Sequence, residues 1–532
     1  MPSAMRPRIR RRAFLAGAAS MVVTGWGRAP ALVRGDAGRP AIPWGVQSGD
    51  AGRGRAVVWS ATDRPARMMV EYATSDRFVD ARRAVPVAAL PGTGLAAKAV
   101  LTGLPAGQDI FYRVTFQDLR DLAATSAPVT GRFRSAPADG RDVTFAWSAD
   151  TAGQGWGIDP DRGGMKIYEV MRRLQPDFFV HSGDMIYADN PIPAQIELPA
   201  GAGVWRNATT PEKAKVAETI DEFRGNYRYN LMDEHVRRFN AEVLQYVQWD
   251  DHEVIDNWFP ERVLDDARYT EKRVALLAAR ARRAMLEFTP LRIHPVDGER
   301  IYRAVRRGPL LDLFLIDMRS YRGSNGDNVE TELTDRARML GREQAHWLKH
   351  RLLASKATWK VIAADMPLGL VVHHDFVHRR GSDGVAQGDG PALGRELEIA
   401  EILRFIKHNG IRNVVWITAD VHYCATHRYD PTRAQFTDFA PFYEFVSGPL
   451  HAGGFGPAAL DSTFGPQVVF SKHPGGRVNV PPTEGALYFG HVTIDGKSRE
   501  MTVRHRDLAG VVLHQIDLVP EAPIQGTVAP EA

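Results

Sequence analysis

The sequence predicts an α/β layered domain, with β-sheets flanked by helices, preceded by a small β-sandwich of immunoglobulin or fibronectin type. Three observations carry that prediction: short alternating strands with frequent turns before residue 137, helices alternating with apolar strands after residue 141, and an acidic residue where each of five apolar strands stops. With 532 residues, 44% hydrophobic and 24% charged, the chain has material for two or three domains. That composition excludes a disordered tail, a collagen and a coiled-coil rod.

The first element is a basic leader, residues 1–31. It carries Arg6, Arg8, Arg10, Arg11, Arg12 and Arg28 and no acid, so the net charge of +4 becomes −2 without it. A near-neutral body offers no track for a polyanion, and no stable nucleic-acid partner is expected. Met1–Arg12 reads as the n-region of a signal peptide, Ala13–Thr24 as its short apolar stretch, and Ala29-Pro30-Ala31 as a cleavage site. Arg10-Arg11-Arg12-Ala13-Phe14-Leu15 looks like a twin-arginine signal, which predicts export by that machinery to the periplasm or beyond the cell. A plain basic leader or a membrane anchor is the alternative. Beyond the leader there is no long uncharged apolar run, so no transmembrane segment is expected in the mature form. Cys424 is the only cysteine, so no internal disulfide can form and the core, with any metal ions, must hold the fold.

Residues 42–137 carry the strands of the sandwich. Ala56–Ser60, Met68–Ala73, Lys98–Leu101 and Asp109–Phe116 are the clearest; in the last, Ile110, Tyr112, Val114 and Phe116 share one face. After Ala136-Pro137-Ala138-Asp139-Gly140 the rhythm changes, and residues 141–515 form the second domain. Strand Val143–Ala149 leads to the amphipathic Met165–Leu174, then strand Asp177–His181. Helix Glu343–Ala354 precedes strand Trp359–Ala364, and helix Glu396–His408, stopped by Gly410, precedes strand Asn413–Thr418. Residues 516–532 are assigned to a tail, Pro/Ala-rich and loose from Pro520 onward.

The acids at strand ends are Asp150, Asp184, the Asp250-Asp251-His252-Glu253 run, Asp365, and Asp420-Val421-His422. Any one alone reads better as a helix cap or a turn former. In layered α/β domains, however, ligands bind outside the carboxyl ends of strands. Five strands delivering carboxylates to one rim would repel each other strongly unless cations lay among them. A metal cluster is the economical reading.

Taken in order, these residues resemble the calcineurin-like metallophosphoesterases, and in detail the PhoD-type alkaline phosphatases. The matching stretches are Trp44–Asp50, His181-Ser182-Gly183-Asp184-Met185-Ile186-Tyr187, Trp249–Val254, Asp317-Met318-Arg319-Ser320-Tyr321-Arg322 and Thr418–Tyr423; the similarity spans roughly residues 42–515. The resemblance implies that Asp184 bridges two metals. It implies that Asp150, Tyr187 and His422 complete the shell of one, suited to Fe(III), with Asp150 standing where some members have Cys. The second metal would see Asp184, Asp251, Asp365 and Asp420. An all-oxygen shell favours Ca²⁺ over zinc or a second iron, other divalent metals being alternatives.

Mechanistically, the resemblance implies in-line attack on phosphorus by a metal-activated water, with His252 protonating the leaving group or holding the phosphoryl oxygens. Arg319, with Arg322, offers a phosphate fork, salt bridges to neighbouring acids being the competing reading. Small phosphate esters are the implied substrates, phospholipid or nucleotide diesters among them. The expected function is a secreted alkaline phosphatase/phosphodiesterase. A phospholipase D-like diesterase is the enzymatic rival, and a non-catalytic, metal-stabilised secreted binding protein the rival of another class.

Overall fold

The computed structural model describes residues 38–52 and 54–521; the leader lies outside these residues. From Pro40 onward they form one unit built on two large sheets. The first has nine strands in the spatial order Val512–Leu518, Met501–Asp507, Tyr488–Ile494, Val143–Ser148, Phe178–Ser182, Leu244–Gln248, Val46–Gly52, Arg55–Ala61 and Ala96–Thr102. The second has seven: Arg303–Arg307, Leu311–Leu315, Trp359–Ala363, Val414–Thr418, Phe442–Val446, Cys424–Tyr429 and Pro466–Lys472.

Alternation along each strand makes the layers. Phe178 and Val180 join Leu313, Leu315, Val361 and Ile417 in the core between the sheets, whereas Phe179 faces a helical layer that includes Ile167, Phe239 and Leu277. Across the second sheet, Phe314, Ile362 and Trp416 point the other way, onto Leu348, Ile399 and Leu403 of helices Arg342–Ala354 and Glu396–His408. Both sheets are thus covered on both faces, which is why their central strands are apolar throughout.

At the centre of the first sheet, Val143–Ser148, Phe178–Ser182 and Leu244–Gln248 run parallel. In the second sheet Leu311–Leu315, Trp359–Ala363, Val414–Thr418 and Phe442–Val446 are parallel. Their carboxyl ends are tied together across the core: the Gln248 side-chain amide donates to the Ile316 and Ala363 carbonyls at 2.8 Å each. The Trp147 indole donates to the Thr418 carbonyl at 3.2 Å.

The N-terminal strands divide between two sheets. Ala66–Ala73, Asp109–Asp118 and Val129–Arg134, with two short strands, form a separate five-stranded sheet, while Val46–Gly52, Arg55–Ala61 and Ala96–Thr102 extend the nine-stranded one. The predicted inward face of Asp109–Phe116 is the buried one. At the other end the assigned tail begins too early. Val512–Leu518 is a full edge strand paired with Met501–Asp507, and Glu521 is tied to Asn413 and Arg412. Three further helices of the described residues are not predicted from the sequence: Ile220–Asn230, opened by a Thr219–Glu222 capping box, Glu234–Glu242 and Val274–Phe288. Among the described residues no helix is long and apolar enough to cross a membrane.

Candidate metal centre

Three of the strand-end acids, and His422, sit on sharp turns. Asp150, Asp184, Asp420 and His422 all have left-handed backbones, with φ of 60°, 51°, 66° and 59°, a conformation that side-chain-bearing residues adopt sparingly and that clusters at functional sites. Close approach makes the turns possible. Gly183, at φ 108°, lies where a Cβ would come within 2.4 Å of the Asp250 Cβ, and a Cβ on Gly448 would lie 2.3 Å from an Asp150 oxygen. Glu253, fully buried, accepts from the backbone N–H groups of Asp184, Met185 and Asp250 at 3.1, 2.6 and 2.8 Å, locking two of the turns to each other.

These turns bring the acids together. Ligand-capable atoms of Asp150, Asp184 and His422 lie within 4.8 Å of one another, as do those of Asp184, Asp251 and His252, and those of Asp250, Asp251 and Asp420. Asp184 and Asp251 each belong to two of the groups and so link the three into one cluster. The His422 Nδ1–H faces the Gly453 carbonyl at 2.6 Å. That leaves Nε2 turned inward, 3.1 Å from the Tyr187 hydroxyl and 3.6 Å from Asp150. Tyr187 is buried, and the Lys213 ammonium grips its carbonyl at 2.6 Å.

The electrostatics call for cations. Neither oxygen of Asp150 nor of Asp365 has a hydrogen-bond partner among the described residues, nor does one oxygen of Asp250, and all three residues are fully buried. Burial, then repulsion from neighbouring acids, pushes Asp150 and Asp365 well above the usual carboxylate range; Asp184 and Asp420 are raised by burial first and by neighbouring acids as well. Buried oxygens without donors, next to an inward imidazole nitrogen and a buried phenol, fit hard cations.

His252 lies beside the centre. Its Nδ1 pairs with Asp189 at 2.9 Å, its backbone N–H donates to Asp184 at 3.1 Å, and its ring stacks on Tyr187 with centroids 4.3 Å apart. Burial alone would lower its pKa, but Asp189, Asp251 and Asp184 outweigh that and raise it well above the usual value. Its Nε2 remains 4.0 Å from Asp251 and 3.8 Å from Asp256. Asp184, Asp251, His252, Asp420 and His422 line a cleft of about 570 Å³ open to solvent.

Arg319 and Arg322 do not form the expected phosphate fork; both are buried against Asp383. Arg319 does not reach the cleft. It is fully buried behind the acids, 2.6 Å from Asp250 and 2.7 Å from Asp383, with Asp365, Asp251 and Asp420 at 3.6–3.8 Å. It is placed as an internal counter-charge. Arg322 likewise faces Asp383 at 3.3 Å. Asp365 meets Arg319 and Asp250, and Asp250 takes the third place beside Asp251 and Asp420.

The sequence marks neither Asp189 nor Asp383, and it marks Asp250 and Glu253 only as members of the acidic run after Trp249. Cys424 is buried, its thiol pushed up by burial.

The family model for "PhoD-like phosphatase" matches residues 145–505, and that for "PhoD-like phosphatase, N-terminal domain" matches residues 27–137. Alkaline phosphatase D of Bacillus subtilis (strain 168) is 26% identical over 438 residues, 77% of this chain and 70% of that one. A solved PhoD structure superposes with a TM-score of 0.66 at 20% identity, covering 91% of this chain and 93% of its own. The purple acid phosphatase PPD1 from yellow lupin (Lupinus luteus) seeds gives 0.55 at 12% identity, covering 91% and 74%. The two structures share the fold.

Proposed function

The chain belongs to the PhoD-like phosphatase family, and on that premise we propose that it hydrolyses phosphate esters at a metal centre held by Asp150, Asp184, Tyr187, Asp251, Asp365, Asp420 and His422. The observation that carries this reading is the convergence of Asp184, Asp251, Asp420 and His422 on the floor of an open cleft, with the buried, donor-free oxygens of Asp150 beside Asp184 and His422. Asp150, Asp184, Tyr187 and His422 suit Fe(III); Asp184, Asp251, Asp365 and Asp420, joined by Asp250, suit Ca²⁺. When bound, such cations supply Lewis acidity toward phosphoryl oxygens and toward an attacking water.

The chain's own residues do the rest. Asp189 fixes the His252 ring through Nδ1 and holds it protonated, so that Nε2 points a proton toward the leaving oxygen of an ester in the cleft. Arg319 offsets the charge of the acids from behind, and Asp383 holds Arg319 in place. Residues 42–137 serve as a covering β-sandwich of immunoglobulin or fibronectin type, continuous with the catalytic sheet. Export by the twin-arginine route fits the leader, and would place the enzyme in the periplasm or outside the cell with small phosphate mono- and diesters as its substrates.

The test is hydrolysis of p-nitrophenyl phosphate by purified protein before and after chelation. The expected result is turnover lost on chelation, restored by returning the metals, and absent in Asp184→Asn. Parent-rate hydrolysis by Asp184→Asn would remove the reading.

A further inference from the structure

The mouth of the cleft is shaped for more than a phosphate. Phe376, Val377 and Val478 line it while being 60%, 80% and 59% exposed, an unusual concentration of bare apolar surface at one place. The Phe376 ring meets Phe455 edge-on, centroids 6.2 Å apart at 88°, and Phe455 meets the His422 ring edge-on, 5.1 Å apart at 82°. An aromatic wall therefore runs without interruption from a metal-site imidazole to solvent.

Charge marks the outer end of that wall. Arg379, three residues beyond Phe376, lines the same cleft and is exposed, and it pairs with no acid among the described residues. The other arginine there, Arg477, is already held by Glu484 at 2.6 Å and by the Pro474 carbonyl. At the inner end, Asp256 lines the cleft beside His252 and disfavours an anion. A second negative charge on a substrate is therefore drawn outward, to Arg379.

We propose that Phe376, Phe455 and Arg379 form a leaving-group subsite for phosphate esters whose arm is flat and aromatic and carries an anionic substituent at its far side. This rests on the phosphatase reading of the same centre and names its substrate class. Edge-to-face rings favour an aromatic guest. A polyol or sugar arm would press hydroxyls against Phe376, Val377 and Val478 without partners. A plain hydrocarbon arm would leave Arg379 unused.

Phosphonates test this without turnover, by calorimetric titration of the metal-loaded enzyme. Benzylphosphonate is expected to bind about tenfold tighter than methylphosphonate, and 4-(phosphonomethyl)benzoate about threefold tighter again. Phe376→Ala should abolish the first difference and Arg379→Gln only the second; both side chains are exposed, so each variant should fold as the parent does, judged by unchanged far-ultraviolet circular dichroism. Equal binding of methyl- and benzylphosphonate by an enzyme that hydrolyses p-nitrophenyl phosphate would overturn the subsite and leave the phosphatase reading standing. No phosphonate binding and no hydrolysis would overturn both.

Discussion

At the scale of single residues, His252 and Asp189 give the sharpest expectations. His252→Ala removes the proton donor but no oxygen ligand, so metal content should hold while kcat falls by about 10²–10⁴-fold. Asp189→Asn deletes a contact that keeps the His252 pKa high. Because the protonated ring is the working form, the alkaline limb of the kcat profile should move to lower pH, by roughly one unit; an unmoved limb would detach His252 from the proton transfer. That Asp150, Asp184 and Asp420 would gather at one rim was legible in sequence because strand-end acids in parallel sheets share it. Asp189 was not, since it lies seven residues beyond strand Phe178–Ser182 and nothing local marks it as a histidine partner. Arg319 was legible as a charge near the site. Which side of the carboxylates it occupies depends on Asp383, 64 residues later in the chain, and adjacency in sequence says nothing of that.

At the scale of elements, the turns after the strands do the positioning. Gly183→Ala would set a methyl against the Asp250 side chain on a backbone at φ 108°, where L-residues are strained by about 1 kcal/mol or more. Gly448→Ala would put a methyl into the space of an Asp150 oxygen. Both variants are expected to fold, judged by unchanged far-ultraviolet circular dichroism, and to hold metal at least about tenfold more weakly. Metal affinity equal to the parent's would show that these turns do not set ligand geometry. The strands and helices with clean periodicity, Glu396–His408 among them, could be read from their apolar pattern and stop signals. Helix Ile220–Asn230 could not, because it buries Arg224, Asn226 and Asn230 as well as apolar residues, so its pattern is not amphipathic. Its capping box at Thr219 was the available signal. Val512–Leu518 has only intermediate and exposed positions, so its last three residues, Ile516–Leu518, read as a tail until the pairing partner is known.

At the scale of the whole molecule, the buried acids tie stability to pH and to bound cations. Asp150, Asp184, Asp365 and Asp420 are held above their ordinary value of 3.8 in the folded chain. Without cations they keep protons that the unfolded chain has lost, so the stability of chelated protein should fall as pH rises from about 4 toward neutrality. Cations favour the ionised carboxylates and should reverse the trend. Thermal unfolding at pH 5 and pH 8, with and without chelator, is the check: the metal-dependent rise in Tm should be larger at pH 8, by roughly 3 °C or more. A rise independent of pH would mean that the acids are not what the metal neutralises. That β-sheets flanked by helices lie behind this centre was implied by alternating helices and strands. That three N-terminal strands extend the same sheet was not, because strand pairing between distant segments leaves no local trace.

The central claim is that acids distant in sequence converge on a shared pair of cations. Elemental analysis of protein purified without added metal, beside its Asp184→Asn variant, addresses it directly. The prediction is stoichiometric bound metal, iron with calcium, in the parent and its loss in the variant, with the fold retained. Metal retained by Asp184→Asn at the parent's level, or none in an active parent enzyme, would contradict it.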